Sequence, residues 1–398
     1  MIRIGLIRET KTPADNRVAL IPSQCKWLQK NFPELKISLQ PSRVRCYTDK
    51  EYALAGVDIQ EDLSDCDYLF GIKEVFPEHL MPGKKYLFFS HTRKMQPYNR
   101  ELFRAILAKK ITLIDYECME HEDGQRILGF GFFAGIVGAH NGMMAYGNRT
   151  KKYALPRVYL QPNFKQLIHG YFGIRLPNIK VVVTGSGRVA HGLLEVMNLL
   201  GIIELEPDEF LSRNFTYPVF TQLKGPGLYR HKKSGGYNRE DFHEHPETYS
   251  CLFTPYTERA DILLNGIYWE PRMPRLFEWD DLLNPEFRIR TIADITDDKD
   301  GSVPCNLGDG TMEEPVYGVN IKTRNRTAPY EVGSVDMMAV GNLPNELPRD
   351  ASRYFGEQLI KYVLEDLFTE GSPVIERATM VRNGAITPIY RYMEKYLI

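Results

Sequence analysis

The chain has 398 residues, which suggests two or three domains, and its 50 basic and 51 acidic side chains nearly cancel. This balance argues against a partner such as nucleic acid or an anionic membrane, and no window holds the roughly 18 apolar residues of a membrane span. The six cysteines lack CxxC spacing, so we expect reduced thiols and no metal site. A strand-like segment directly after Met1 leaves no room for a signal peptide, and we predict a cytoplasmic α/β protein.

The first part of the chain alternates predicted strands and helices. Ile2–Ile7 has the pattern of a strand, and a charged loop follows it. Arg17 lies where this loop meets an apolar run, so it either stays solvated with the loop or binds a carboxylate. A helix around Pro22–Asn31, a strand near Leu35–Leu39 and a helix around Asp49–Ala55 follow.

Two successive predicted strands end on residues suited to proton transfer. The segment 68–73 ends on Lys73, and the segment 86–90 is followed by His91. A further strand, 111–117, ends on Glu117. The carboxyl ends of strands line the ligand crevice in open α/β sheets, so these residues are candidates for a site. The alternative is a solvated lysine and a histidine that caps the next helix.

A glycine-spaced apolar segment, Phe130–Gly138, predicts a helix that lies close to another helix, as at a domain junction. Arg126 precedes it. The composition turns polar and basic around Arg149–Pro156, and we place a domain boundary nearby.

The segment Ile179–Leu200 carries the strongest local pattern. The β-branched run Val181–Val183 breaks at a glycine turn, and apolar residues at helical spacing follow. In a dinucleotide fingerprint Gly185 permits the tight turn, and Gly187 lets a pyrophosphate approach the helix N-terminus. Ala190 replaces the third glycine. The alternative is an ordinary βα turn whose glycines serve geometry alone.

The region after this helix is more polar. We predict Ile202–Glu206 as the second strand of the nucleotide domain, with Glu204 or Glu206 placed for the ribose hydroxyls. Ser212–Ser250 is interpreted as a long insertion. The His-Glu-His sequence at 243–245 has no third ligand at suitable spacing, so we predict no metal.

Three further elements complete the prediction. Asp261–Trp269 returns to strand and breaks at Asn265 and Gly266. Arg290–Ile295 is predicted as the last strand, with a loop at its carboxyl end. Ala351–Leu367 predicts an amphipathic helix.

Several long motifs, in this order, resemble the lysine-forming saccharopine dehydrogenases, and most closely the lysine–2-oxoglutarate reductase domain of bifunctional lysine-degrading enzymes. The opening loop and the fingerprint are more distantly similar to alanine dehydrogenase. The motifs run over nearly the whole chain and comprise Ile37–Ser42, Phe88–Thr92 with Lys94 and Gln96, Leu113–Glu117, Thr184–Val189, Tyr237–Tyr249, Leu264–Glu270 and Asn342–Pro348.

The resemblance implies an α/β fold of two Rossmann-like domains with parallel sheets, the nucleotide domain being inserted into the substrate domain. We expect the first part of the substrate domain at 1–148, the NAD(P)-binding domain at 149–330, and a returning C-terminal segment at 331–398. The second domain of the bifunctional enzymes is absent from this sequence, which implies a single activity.

The resemblance also implies site residues. Lys73 and His91 match the family's acid–base pair. The expected substrate-binding residues are Arg17, Lys94, Gln96, Glu117 and Arg126. The expected cofactor-binding residues are Gly185, Ser186, Gly187, Arg188, Val189, Glu206, Asn265, Gly266, Ile267, Asp294 and Asp298. Two positions depart from the pattern, because Ala190 replaces a glycine and Gly341 stands where relatives carry an aspartate.

The implied reaction joins L-lysine to 2-oxoglutarate with NAD(P)H and yields saccharopine. A dehydrogenase of another amino acid, such as alanine, and a non-catalytic nucleotide-binding relative remain as alternatives. NAD and NADP are not distinguished, because Glu204 and Glu206 favour a free ribose while the relatives favour the phosphate, which Arg213 is available to bind. The partners expected are these small molecules, and oligomeric state and the direction of flux stay open.

Overall fold

The computed structural model covers residues 1–398 and divides into two compact units. The split unit comprises Met1–Phe130 and Pro348–Ile398, and the inserted unit comprises Gly131–Leu347. These limits lie at 130/131 and 347/348, whereas the sequence analysis placed domain limits at 148/149 and 330/331. None of the helices combines the length and the apolar composition needed to span a bilayer.

Strands and α-helices alternate through most of the chain. The strands are β1 (Ile2–Leu6), β2 (Leu35–Leu39), β3 (Asp58–Ile59), β4 (Tyr68–Phe70), β5 (Lys85–Phe88), β6 (Thr112–Asp115), β7 (Lys180–Thr184), β8 (Ile203–Glu204), β9 (Val219–Leu223), β10 (Tyr229–His231), β11 (Tyr249–Cys251), β12 (Ile262–Asn265), β13 (Thr291–Asp294), β14 (Val316–Asn320), β15 (Arg326–Thr327), β16 (Ser334–Met338), β17 (Thr379–Arg382) and β18 (Ala385–Ile386). The helices are α1 (Pro22–Asn31), α2 (Asp49–Leu54), α3 (Arg100–Ala108), α4 (Gly131–Thr150), α5 (Phe164–His169), α6 (Arg188–Leu199), α7 (Pro207–Ser212), α8 (Arg239–Glu244), α9 (Thr254–Thr257), α10 (Pro348–Tyr362), α11 (Leu364–Phe368) and α12 (Pro373–Ala378).

The split unit is built on an eight-stranded sheet of order β18-β17-β6-β5-β4-β1-β2-β3. The strands from β6 to β3 are parallel, and only β17 and β18 run antiparallel to their neighbours. The carboxyl ends of β6, β5, β4 and β1 therefore meet at one edge of the sheet.

The inserted unit has its own eight-stranded sheet, of order β15-β14-β16-β13-β12-β7-β9-β8. Its six strands from β16 to β8 are parallel, and β14 and β15 are antiparallel. The strand β7 is buried throughout, as its β-branched sequence predicts for a strand with both faces covered. The predicted fold class, two mostly parallel α/β sheets, is confirmed.

Glycines explain why α4 belongs to the inserted unit. A Cβ on Gly135 would lie 2.0 Å from the carbonyl oxygen of Val189, and one on Gly192 would lie 2.0 Å from that of Phe132. The helices α4 and α6 thus cross at backbone contact, which only glycine permits. The predicted close approach of this glycine-spaced helix is confirmed.

Three predicted elements differ from the structure. The stretch Ser212–Ser250, predicted as a long insertion, contains β9, which lies between β7 and β8. The strand β13 is not the last, because β14, β15 and β16 follow it. The helix predicted at Ala351–Leu367 is divided into α10 and α11.

Candidate active site and nucleotide cradle

Ionisable side chains follow four neighbouring strands of the split unit. Glu9 follows β1, Lys73 follows β4, His91 follows β5 and Glu117 follows β6. The strands themselves end earlier than predicted, so that Lys73 and His91 lie in the loops. Because the carboxyl ends of parallel strands meet at one edge of the sheet, the loops that carry these side chains lie along that same edge.

Glu9 holds the loop that carries Lys73. The backbone N–H groups of Ile72 and Lys73 donate to the two carboxyl oxygens of Glu9, at 2.7 and 2.9 Å. Desolvation and the charge of Asp15 raise the pKa of Glu9 to about 8, against the lowering effect of these two hydrogen bonds. Glu9 thus fixes the position of the lysine backbone, a role that its sequence pattern did not predict.

Lys73 has the electrostatic setting of a base. Desolvation and the nearby guanidinium of Arg17 lower the pKa of its ammonium to about 8, although Asp15 and Glu74 oppose the shift. A lysine with a pKa of about 8 is neutral in roughly a tenth of the molecules at pH 7, whereas an ordinary lysine is neutral in far fewer than one in a hundred. It can therefore accept a proton during turnover.

Glu74 connects the loop after β4 to the loop after β5. One oxygen of Glu74 contacts His91 Nδ1 at 2.7 Å, and the other accepts from Lys11 Nζ at 2.8 Å. Burial raises the pKa of Glu74, but the hydrogen bond and charge of His91 outweigh it and lower the pKa to about 2. The carboxylate thus engages one ring nitrogen and leaves Nε2 for proton exchange.

The backbone of His91 is also constrained. Its φ is 50°, in the left-handed region, and its ring stacks on Phe89 with centroids 6.2 Å apart. Asn99 Nδ2 donates to the His91 carbonyl oxygen at 3.3 Å. A left-handed histidine costs free energy, so these contacts and the pair with Glu74 hold the ring in a defined position.

A buried carboxyl braces the ends of β5 and β6. Asp115 accepts from the Ser90 N–H at 3.1 Å and from the Glu117 N–H at 2.7 Å, and it also contacts the Ser90 hydroxyl. Burial raises the pKa of Asp115 to about 6. These bonds set the spacing of the two loops that present His91 and Glu117.

The two predicted carboxylate-binding arginines have different surroundings. Arg17 is 3% exposed, pairs with Asp15 through Nε at 2.9 Å and Nη2 at 2.5 Å, and stacks on Phe130 at 4.1 Å. Burial raises the pKa of Asp15, but Arg17 lowers it more strongly, below the usual range. The side chain of Arg126 is 43% exposed and donates to Glu117 at 2.9 Å. Their substrate-binding roles stay predictions.

Lys94 and Gln96 lie on the loop after His91 and are exposed. The side-chain oxygen of Gln96 accepts from the Tyr98 hydroxyl, and its backbone carbonyl accepts from Tyr396. The structure thus brings the predicted residues of the split unit to one set of loops, and it adds Glu9, Asp15 and Glu74. The signal available for Glu74 was its position directly after Lys73.

The two glycines of the turn in the inserted unit have different roles: Gly185 is required by the backbone conformation, and Gly187 leaves space for a ligand. Gly185 has a φ of +103°, and a Cβ there would lie 2.5 Å from the carbonyl oxygen of Gly266, so this glycine is required by the fold. Gly187 caps α6 with a φ of −83°, and a Cβ there would meet nothing within 4 Å. Ser186 and Gly187 are exposed, and Arg188 and Val189 are half-buried. The residues fit a pyrophosphate group, because the space beside Gly187 at the helix N-terminus is open.

A network of side-chain hydrogen bonds around Asn265 and Asp294 braces the strands beside the turn. Asn265 donates to Asp294 at 2.8 Å and to Ser302 at 2.9 Å, and accepts from Thr184 at 2.6 Å. Asn306 donates to Asp294 at 2.8 Å. Asn265 and Asp294 are fully buried, and burial raises the pKa of Asp294 to about 6. Both side chains serve the interior of the unit, and their contact with a cofactor stays a prediction.

The remaining cofactor candidates lie at the surface or at turns. Ile267 is buried next to Gly266, whereas Asp298 and Glu206 are exposed. Glu206 follows β8 at the edge of the sheet, and β9 separates that strand from β7. Its contact with the ribose stays a prediction.

Gly341 lies against two carboxyl groups. A Cβ on Gly341 would lie 3.0 Å from Asp309 Oδ2 and 3.5 Å from Asp297 Oδ2. Burial and the charge of Asp309 raise the pKa of Asp297. An aspartate at 341 would place a third carboxyl beside this pair, so the glycine relieves a local excess of negative charge.

Comparison with known proteins agrees with the motifs. Residues 5–137 match the family model described as alanine dehydrogenase/PNT, N-terminal domain. The mitochondrial alpha-aminoadipic semialdehyde synthase of Mus musculus is 32% identical over 98% of this chain and 47% of its own length. The Arabidopsis thaliana alpha-aminoadipic semialdehyde synthase is 29% identical over 98% of this chain and 41% of its own. The chain thus spans about half the length of these relatives.

A relative of similar length carries the name saccharopine dehydrogenase [NAD(+), L-lysine-forming]. This Yarrowia lipolytica protein is 26% identical over 95% of both chains. The chain is similar to saccharopine dehydrogenases over nearly its full length. The resemblance predicted from the motifs is confirmed.

Solved structures support the fold. An L-alanine dehydrogenase superposes with a TM-score of 0.65 at 17% identity, covering 100% of both chains. A transhydrogenase from Sinorhizobium meliloti gives a TM-score of 0.57 at 16% identity, covering 96% of this chain and 98% of its own. At these identities the comparison establishes the fold of two Rossmann-like domains alone.

Proposed function

We propose that the protein is a nicotinamide-dependent oxidoreductase that joins L-lysine and 2-oxoglutarate into saccharopine, or runs the same reaction in reverse. The similarity to saccharopine dehydrogenases supports this reaction class. The observation that carries the proposal is Lys73, whose pKa is lowered to about 8 beside the Glu74–His91 pair. An amine that must be deprotonated and a hydroxyl that must leave require such a base and such an acid.

The proton transfers follow from these residues. Neutral Lys73 takes a proton from the ε-ammonium of the substrate, and the resulting amine attacks the keto carbon. Protonated His91, stabilised by the Glu74 carboxylate, gives a proton to the hydroxyl of the addition product, which leaves as water. The nicotinamide cofactor supplies the hydride that reduces the carbon–nitrogen double bond. In the reverse direction the same two groups exchange roles.

The substrates bring three carboxylates, which suit planar guanidinium donors. Arg126 is the more accessible of the two candidates and already contacts a carboxylate, Glu117, at its edge. Arg17 is committed to Asp15, so its influence on the site includes lowering the pKa of Lys73.

The inserted unit supplies the residues for the nucleotide. The turn from Gly185 to Gly187 and the first residues of α6 would hold the pyrophosphate, because backbone N–H groups at a helix N-terminus bind anions. The buried network around Asn265 keeps the neighbouring strand ends in place.

The test is a steady-state assay of the loss of reduced nicotinamide absorbance with lysine and 2-oxoglutarate, using NADH and NADPH separately. Pyruvate with ammonium serves as the control substrate pair. We expect turnover only with lysine and 2-oxoglutarate, with saccharopine identified as the product. Turnover restricted to pyruvate and ammonium would instead indicate an alanine dehydrogenase. Nucleotide binding without turnover on either pair would indicate a non-catalytic protein.

A further inference from the structure

A cavity of about 590 Å³ lies at the antiparallel edge of the sheet in the inserted unit. It is bordered by β14, β15 and the C-terminal half of α4, and all its lining residues fall within 144–330, so it belongs to the inserted unit alone. Four strand spacings of about 4.8 Å separate β14 from β7, which places the cavity roughly 19 Å from the strand that carries the glycine turn. A cavity of this size accommodates a small molecule, and it is distinct from the proposed pyrophosphate site.

Tyr330 lines one side of this cavity and is held in an unusual conformation. Its φ is 71°, in the left-handed region that aromatic residues rarely adopt. The Tyr330 N–H donates to Asp336 Oδ1 at 2.7 Å, and Asn148 Nδ2 of α4 donates to the Tyr330 hydroxyl at 3.2 Å. Asp336 is itself buried and paired with Arg149. The fold thus fixes an aromatic surface beside the cavity at a conformational cost.

Two guanidinium groups line the cavity, and neither is in an ion pair. Arg326 Nη2 donates to the Asp309 carbonyl oxygen at 3.1 Å, and its guanidinium stacks on Tyr317 at 3.9 Å. Arg157 Nη2 donates to the Met312 carbonyl oxygen. Because these partners are backbone carbonyls, both guanidinium groups keep an unpaired positive charge beside the cavity. A planar guanidinium in this state is suited to a carboxylate, which it binds through two hydrogen bonds.

Three carboxylates line the same cavity, namely Asp309, Glu313 and Glu314. All three residues are exposed, and none of them is in an ion pair. Two positive and three negative groups therefore leave the lining with one excess negative charge. A complementary ligand carries charges of both signs and one excess positive charge. A basic α-amino acid has this pattern near neutral pH, because it bears one carboxylate and two cationic groups.

We propose that this cavity of the inserted unit is a second binding site, for a basic α-amino acid of the lysine type. Arg326 and Arg157 bind its carboxylate, and Glu313 and Glu314 bind its cationic groups. The aliphatic chain of the ligand packs on Tyr330. The inference goes beyond the proposed function, because the site shares no residue with the loops of the split unit that carry the proton-transfer groups.

The test counts bound ligand by equilibrium dialysis of the full chain against radiolabelled L-lysine. The double variant Glu313→Gln/Glu314→Gln removes two charges and keeps the side-chain shapes. We expect it to weaken binding at the cavity by about tenfold or more, so that one lysine per chain is lost at a concentration that fills the wild-type site. The KM for lysine in the saccharopine-forming assay should stay unchanged. Cadaverine, which lacks the carboxylate, and 6-aminohexanoate, which lacks the α-amino group, should not displace this lysine.

A matched control makes the result specific. Glu258→Gln/Glu286→Gln changes the charge of the inserted unit equally at two exposed acids outside the cavity, and should leave lysine binding unchanged. Equal lysine binding by the cavity variant and the wild type would overturn the inference. A raised KM for lysine in the cavity variant would also overturn it, because the acids would then belong to the substrate site. Cavity-dependent lysine binding without saccharopine formation would overturn the proposed function and leave the second site in place.

Discussion

The loops after β4 and β5 and the turn after β7 follow parallel strands in the same way, yet they prepare their sites by different physical means. In the split unit, charges act on one another: Arg17 lowers the pKa of Lys73, and His91 lowers that of Glu74. In the inserted unit, the turn requires residues without a Cβ atom, because Gly185 has no room for one and Gly187 leaves open space beside the helix N-terminus.

Because of this difference, we expect substitutions in the split unit to change the turnover rate, and substitutions at the glycine turn to change nucleotide affinity or protein stability. Removing a charge after β4 or β5 should change turnover and its pH dependence while the nucleotide still binds. Adding a single carbon after β7 should change nucleotide affinity or stability while the proton-transfer groups keep their pKa values. Each of the following substitutions tests one side of this contrast.

Lys73→Met should have the largest effect. Removing a general base typically costs about 10²–10⁴-fold in turnover, and the methionine keeps most of the side-chain volume. We expect kcat to fall by that factor with cofactor affinity nearly unchanged, as measured by steady-state kinetics and fluorescence titration. Near-normal turnover would show that Lys73 is a structural residue.

The pH profile gives the same assignment a second readout. A base must be neutral to act, so kcat/KM for lysine and 2-oxoglutarate should carry a limb that rises with pH near 8, in line with the pKa of Lys73. Lys73→Met should lose this limb. Glu9→Gln removes the other group with a pKa of about 8, so a limb that persists in this variant belongs to Lys73, even where kcat falls because the amide accepts only one of the two backbone N–H groups.

Gly187→Ala and Gly185→Ala form a matched pair in the inserted unit. The first adds a methyl group where the protein leaves space, so we expect an unchanged melting temperature and a loss of nucleotide affinity of about thirtyfold, or roughly 2 kcal/mol. The second forces a Cβ to 2.5 Å from a carbonyl oxygen at a φ of +103°, so it should lower the melting temperature. Calorimetry and titration would contradict the contrast if both variants behaved alike.

The sequence predicted much of this architecture, because local patterns determine it. The run Val181–Val183 with its glycine turn, and the apolar segments before Lys73 and His91, are read from neighbouring residues. The position of β9 depends on pairing with β7 across the fold, and no local pattern reveals which strand becomes the neighbour. For the same reason the contact of Glu74 with His91, from a different loop, was not predicted.

Glu74→Gln tests the link between the two loops. The substitution removes the negative charge but keeps a hydrogen-bond partner for His91 Nδ1, so the protonated ring loses its stabilisation. Charge-assisted bonds of this kind contribute about 1.5–3 kcal/mol, so we expect kcat to fall about tenfold or more. Lys11→Ala is the control, because it removes the other partner of Glu74 without touching the histidine. An equal effect of both variants would assign the loss to general loop stability.

We expect the smallest effects from the substitutions of Arg126 and Arg17 by lysine, and the two variants should differ in whether KM or the melting temperature changes. Arg126→Lys should raise KM for one of the carboxylate substrates by a few-fold with no change in melting temperature, because a half-exposed ammonium cannot reproduce the planar fork. Arg17→Lys should lower the melting temperature, because removing one side of its bidentate pair leaves the buried Asp15 incompletely compensated. If Arg17→Lys changes only KM, Arg17 binds substrate directly and the buried pair with Asp15 opens during turnover. If Arg126→Lys changes neither KM, its contact with Glu117 is structural, and the carboxylates are bound elsewhere on these loops.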